Sequence, residues 1–232
     1  VKQFNAGQIC TNVDYVFVHH TQKDEFIRLA QAYVAKHCPD INHKDYTSVI
    51  DERSYQRLLD TLEDARTKGA SITNLSGEQQ PNPELRKIPL HIVSDTTEDM
   101  TIRQRETFGP LLMLLTYTDP QEVIDYVNAH DRPLAFYPFS NNAQLTDRYI
   151  ERIMSGGVTV NDALFHVAQH DIPFGGVGPS GMGHYHGYEG FITFSKLRPV
   201  FYQPGFSAMK FLRPPYGGFA DWVYNLLVKL KS

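Results

Sequence analysis

The run Leu111-Leu112-Met113-Leu114-Leu115-Thr116-Tyr117 is apolar at almost every position. A strand with one wet face alternates apolar and polar residues. An uninterrupted apolar strand is buried on both faces, the habit of parallel sheets covered by helices. The flanking sequence fits that reading. Asp119-Pro120 supply a cap and a first-turn proline for a helix to about residue 128. Residues 134–139 read as the next strand, Asn141 or Asn142 caps a helix to about residue 154, and Gly156-Gly157 end it before a strand at 158–160. Upstream, residues 15–20 read as a strand. Thr21 is the expected N-cap of a helix carrying Phe26, Leu29, Ala30, Tyr33 and Val34, closed by Cys38-Pro39. A second amphipathic helix spans 51–68, with Leu58, Leu59, Leu62 and Ala65 on one face and Gly69 as its stop. Strands are expected at 70–75 and 88–93, with Pro89 marking an edge or a strand start. Strands alternating with helices imply parallel pairing and right-handed crossovers. The expected fold class is α/β: an open, mostly parallel sheet with helices on both faces.

Beyond this lies a different kind of sequence. Residues 191–202 read as a last strand-like stretch. Residues 204–218 hold three prolines and three glycines and read as an extended arm, and 220–231 as a short amphipathic helix. The expected division is a domain at 1–190 followed by a strand, arm and helix at 191–232.

The bulk numbers exclude several classes. With a formal net charge of -4 and no long basic run, the chain does not present a nucleic-acid surface. No apolar run approaches the roughly 20 residues of a membrane-spanning helix. Two cysteines, Cys10 and Cys38, make no disulfide framework, so a reducing, cytoplasmic setting is expected. His166, His170, His184 and His186 fall close together, but without fixed spacing on one helix or cysteine partners; no metal site is expected from them.

The chemistry concentrates near the start. In Phe4-Asn5-Ala6-Gly7-Gln8-Ile9-Cys10, small turn-prone residues lead to a cysteine just ahead of a strand. A thiol presented at such a turn is a nucleophile where its surroundings favour the thiolate, and a packing residue otherwise. Two later stretches bear on it. One is Glu106-Thr107-Phe108-Gly109-Pro110. The other runs from Pro173-Phe174-Gly175-Gly176 to Gly187.

In this order and at these separations, the three stretches resemble the aldehyde dehydrogenase superfamily, from residue 1 to about residue 200. Val160-Asn161-Asp162, His166 and Tyr185-His186-Gly187 are most similar to the class 3 and coniferyl-aldehyde dehydrogenase branch. The resemblance implies that Cys10 attacks an aldehyde to give a thiohemiacetal, that hydride passes to NAD or NADP, and that the thioester is hydrolysed. It implies that Glu106 accepts from the nicotinamide ribose hydroxyls, with Phe108 against the nicotinamide. Asn5, Gly7, Asn161, Gly175 and Gly176 would shape the active-site loops, and Phe165 and Phe174 would wall a pocket for an aromatic or medium-chain aldehyde. It further implies a homodimer joined through the late strand. Members of that family carry their cofactor-binding half, a glutamate base and an asparagine oxyanion donor ahead of the cysteine motif. This chain opens on the motif, so alone it is expected to be inactive. The other reading is a non-catalytic homologue that serves as an oligomerisation or interaction domain.

Overall fold

A computed structural model of the chain describes residues 1–231. It divides into two compact units, Val1–Phe194 and Ser195–Ser232.

In the first unit the apolar run forms β4 (Leu111–Tyr117), flanked in parallel by β1 (Tyr15–His19) and by β3 (His91–Ser94). β2 (Ser71–Asn74) adds antiparallel to β3, giving the order β1-β4-β3-β2. Alternate β4 side chains feed opposite cores. Leu111, Met113 and Leu115 pack with Tyr55, Leu58, Leu62 and Ala65 of α2 (Glu52–Thr67) and Ile102 of α3 (Thr101–Gln104). Leu112 and Leu114 pack with Val34 of α1 (Lys23–His37), Ile92 and Val18. Helices therefore cover both faces, and the α/β expectation holds.

Asp51, expected from sequence at the start of α2 without a capping role, caps it by accepting from the Ser54 N–H at 2.7 Å. Other local signals act largely as read. Asp119 caps α4 (Pro120–Ala129) by accepting from Gln121, and Glu122 accepts back from the Asp119 N–H. Asn142 caps α5 (Ala143–Arg152). Thr21 does not cap α1: it lies in a 3-10 turn over His20–Gln22, with its hydroxyl 2.8 Å from His19 Nδ1. Pro89 precedes β3, which is paired on both sides and is no edge. β5 (Ala135–Phe136) and β6 (Gly157–Val158) are shorter than expected and form a separate parallel pair.

One expectation fails outright. Residues 191–202 are not a strand. Residues 191–193 end the helix α7 (Gly187–Thr193), whose last turn is fastened by the Thr193 hydroxyl donating to the Glu189 carbonyl at 2.8 Å. Residues 195–202 carry no regular structure. Its apolar side chains made that stretch read as a strand, whereas within this chain its first residues complete a helix and the rest pairs with no strand among the described residues. The short helix α6 (Phe165–Ala168) replaces the loop expected there.

The second unit holds a 3-10 turn (Ala208–Phe211) and α8 (Gly218–Lys231). Lys210 Nζ lies 4.5 Å and 5.0 Å from the rings of Phe206 and Phe211.

Candidate active site

Cys10 is exposed, in the turn that leads into β1. The turn before it is unusual. Asn5, Ala6 and Gly7 all have left-handed backbone, with φ of 52°, 51° and 77°. Non-glycine residues resist this conformation by roughly 1–2 kcal/mol each, so the turn persists only because its surroundings hold it. Asn5 Nδ2 donates to the Gln8 carbonyl at 3.0 Å, and Gln8 Nε2 donates back to the Asn5 carbonyl at 3.1 Å. The Gln8 amide also donates to the Ser48 carbonyl at 3.1 Å and accepts from the Ile50 N–H at 2.9 Å. After the cysteine, Asn12 Nδ2 donates to the carbonyls of Val1 and Phe4, each at 3.2 Å.

The cysteine motif and the Glu106–Pro110 motif meet backbone to backbone. A Cβ on Gly7 would overlap the Gly109 carbonyl, and a Cβ on Gly109 would overlap the end of Leu58. Leu58, Gly109 and Gly7 thus stack from α2 outward. Both loops enter the amino-terminal ends of neighbouring parallel strands, β1 and β4.

A buried polar cluster adds a second bond between the motifs. Thr107 is 1% exposed and Lys2 is 7% exposed. Asp14 Oδ1 accepts from the Thr107 N–H at 2.9 Å and from its hydroxyl at 2.8 Å, and Lys2 Nζ donates to the Thr107 Oγ1 at 3.3 Å. Burial pulls Lys2 down from 10.5 to about 8, against the pull of Asp14 and Glu106. The same surroundings raise the Glu106 carboxyl: partial burial first, then Asp14, opposed by Lys2 and Arg57. Arg105 acts on Arg57 as a like charge. Among the described residues no ion pair joins Arg105 to Glu106. Phe108, two residues on from Glu106, has φ 44° and is 39% exposed.

Asn161 has φ 57° and clasps Ser140 at two points, accepting from its N–H at 2.8 Å and donating to its carbonyl at 3.1 Å. Phe165 is 58% exposed on α6. Phe174, by contrast, is buried among His166, Tyr185 and His186 and bridges to Tyr185 through two backbone hydrogen bonds of 2.7 and 2.8 Å. Its ring is packing material and offers no open face. Gly175 and Gly176 pack within the glycine-rich stretch itself. Gly175 abuts residues 183–184, Gly176 abuts Ser180, and Gly156 abuts both glycines, so they shape their own loop and do not touch the cysteine turn. Among the described residues no group of three or more His, Cys, Asp or Glu side chains gathers to hold a metal. Cys38 packs against the α1 core, and burial raises its thiol.

Sequence reasoning missed Lys2, Asp14, Thr107 and Tyr137. The Tyr137 hydroxyl donates to the Thr11 carbonyl at 2.7 Å. Its only sequence signal is its place just after the strand β5.

With this geometry in view, comparison with known proteins is direct. The sequence model of the aldehyde dehydrogenase family matches residues 2–200. A probable coniferyl aldehyde dehydrogenase of Caulobacter vibrioides is 48% identical over 93% of this chain and 46% of its own length. The coniferyl aldehyde dehydrogenase of a Pseudomonas species is 42% identical over 100% of this chain and 48% of its own. Rat aldehyde dehydrogenase family 3 member A2 is 35% identical over 92% and 43%. The solved structure of Staphylococcus aureus AldH in a substrate-bound state superposes with a TM-score of 0.77 at 32% identity, over 97% of this chain and 48% of that one. The chain spans about half the length of the curated relatives it matches. It belongs to the aldehyde dehydrogenase family.

Proposed function

We propose that this chain supplies the thiol half of an NAD- or NADP-dependent aldehyde oxidation, with an aromatic aldehyde such as coniferyl aldehyde as substrate. The observation that carries it is the exposed Cys10 on a rigid left-handed turn, locked through Gly7 to the loop that bears Glu106. A preorganised nucleophile needs such support, because reacting atoms must be held to a fraction of an ångström.

The Cys10 thiolate adds to the aldehyde carbon: a C–S bond forms, and the carbonyl pair moves onto oxygen. The Cys10 N–H is the donor this chain offers to that oxyanion. A nicotinamide cofactor, when bound, supplies the hydride acceptor. The residues present fit such a group. Glu106 is exposed, and among the described residues its carboxylate is influenced by neighbouring charges and accepts no hydrogen bond, so both oxygens are open to a vicinal diol. Phe108 lies two residues on, exposed in part. Phe165 is the aromatic side chain on offer to substrate. The base and the second oxyanion donor would come from the half that its relatives carry ahead of this region.

A second copy of the chain is the favoured partner. Phe194, Phe201 and Tyr202 are 86%, 82% and 87% exposed, which suits burial in a homodimer. Two free thiols, Cys10 and Cys38, accord with a reducing, cytoplasmic setting.

The test is reduction of NAD+ or NADP+ by coniferyl aldehyde with the full-length protein, comparing wild type with Cys10→Ala. Loss of turnover with an unchanged urea midpoint is expected. Turnover retained without the thiol would sink the reading, and a non-catalytic interaction role would then lead.

A further inference from the structure

Cys10 has support on both sides. The upstream side is the left-handed turn already described. The downstream side is held by the Asn12 bonds to Val1 and Phe4 and, from a distant segment, by one phenol. Thr11 is buried, and its carbonyl accepts from the Tyr137 hydroxyl at 2.7 Å across 126 residues of sequence. Burial raises the phenol to about 12, so it stays a donor throughout the neutral range. Leu164 is left-handed, with φ 71°, and leads directly into α6, which carries Phe165.

The ring of Tyr137 is held as well. It lies 5.9 Å from the imidazole of His166, which is itself 6.0 Å from Phe174. His166 is fixed by the Thr159 hydroxyl, 2.8 Å from Nδ1, and its ring fills the space where a Gly157 side chain would stand. A continuous set of contacts therefore runs from β6 through His166 and Tyr137 to the residue after the thiol.

We propose that Tyr137 is a positioning residue: its hydroxyl holds the segment after Cys10 while its ring packs against His166 of α6, the helix that carries Phe165, and so fixes how the sulfur is presented to an aldehyde. The inference rests on the reading of Cys10 as nucleophile. It concerns the orientation of the sulfur and involves no new chemical step. Losing the hydroxyl leaves the Thr11 carbonyl unpaired in a buried place and loosens the turn around residues 9–12, which then keeps only the Asn12 bonds. Small misplacements of a reacting atom reduce the chemical step more than they reduce substrate binding.

The test uses Tyr137→Phe in the full-length protein, with coniferyl aldehyde and NAD+ or NADP+ as substrates. Tyr46→Phe is the matched control. Its phenol also donates to a buried backbone carbonyl, that of Ile88 at 2.6 Å, but within the core. In Tyr137→Phe, kcat should fall about tenfold while KM for aldehyde and cofactor stays close to wild type. Alkylation of Cys10 by iodoacetamide should slow in the same variant. Tyr46→Phe should lower the urea midpoint and leave kcat and the alkylation rate alone. If Tyr137→Phe keeps wild-type kcat and alkylation while Cys10→Ala is dead, the positioning role is overturned and the nucleophile reading stands. Turnover retained by Cys10→Ala would overturn both.

Discussion

Lys2 offers the sharpest quantitative check on the buried cluster that joins the two motifs. It is 7% exposed, and burial moves its ammonium from 10.5 to about 8 in the folded protein. The unfolded chain holds that proton up to its ordinary value, so between about pH 8 and 10.5 the unfolded state binds more protons than the folded one. Stability therefore rises with pH through this window. Below the window, both states carry the charge and the folded state bears the cost of burying it. Between pH 7 and 9.5 the gain works out at about 2 kcal/mol. Other groups titrate there too, so the measurement is a difference of differences. Urea unfolding is followed at pH 7 and pH 9.5 for wild type and for Lys2→Met. The methionine fills similar space and carries no charge. Wild type should gain about 2 kcal/mol more than the variant on going to pH 9.5. Parallel changes in the two proteins would refute the claim that Lys2 is a buried, reluctantly charged ammonium, and with it the account of the Lys2–Thr107–Asp14 cluster.

Two further outcomes follow from the same contacts. Gly7→Ala places a methyl into the Gly109 carbonyl on a left-handed backbone; it should cost roughly 2–4 kcal/mol by urea unfolding, and a wild-type midpoint would mean the two loops do not touch as described. Burial holds the His166 imidazole below its usual range, so the unfolded chain takes up this proton first as pH falls below about 6.5; wild type should lose stability across that acid window, His166→Gln should lose less, and equal losses would show that His166 is not a buried neutral ring.

What could be read from sequence divides along physical lines. β4 announced itself because burial on both faces leaves an apolar run, α2 through its apolar face, and α4 and α5 through Asp119 and Asn142, whose caps act within three residues. Cys10, Glu106 and Phe108 stood out as motif residues. The contacts that assemble the site were not legible, since they join residues far apart. Thr107 meets Asp14 across 93 positions, and no local pattern marks either as a partner. Lys2 carries no mark of its burial either, because a lysine's sequence neighbours do not record what packs over it. Phe174 read as a pocket wall for a related reason: an aromatic beside glycines looks the same whether it lines a cavity or plugs one. The misread strand at 191–202 came from its apolar side chains, which stay exposed in residues such as Phe194 and Phe201.

The position of the site at the entry to two paired strands has a consequence for its geometry. Tyr15 of β1 is matched with Met113 of β4, and Cys10 and Phe108 each stand five residues ahead of that pair. The spacing between the sulfur and the Glu106–Phe108 segment is thus inherited from a hydrogen-bonded ladder. A ladder admits only whole-residue steps, each about 3.3 Å long in a parallel sheet, and a single step also turns every side chain of the strand to the opposite face. The core fixes which step is taken, since Leu111, Met113 and Leu115 must meet α2 while Leu112 and Leu114 meet α1. The separation is therefore quantised: gradual wear of the surrounding loops leaves it in place, and only a slip large enough to turn the core inside out can change it.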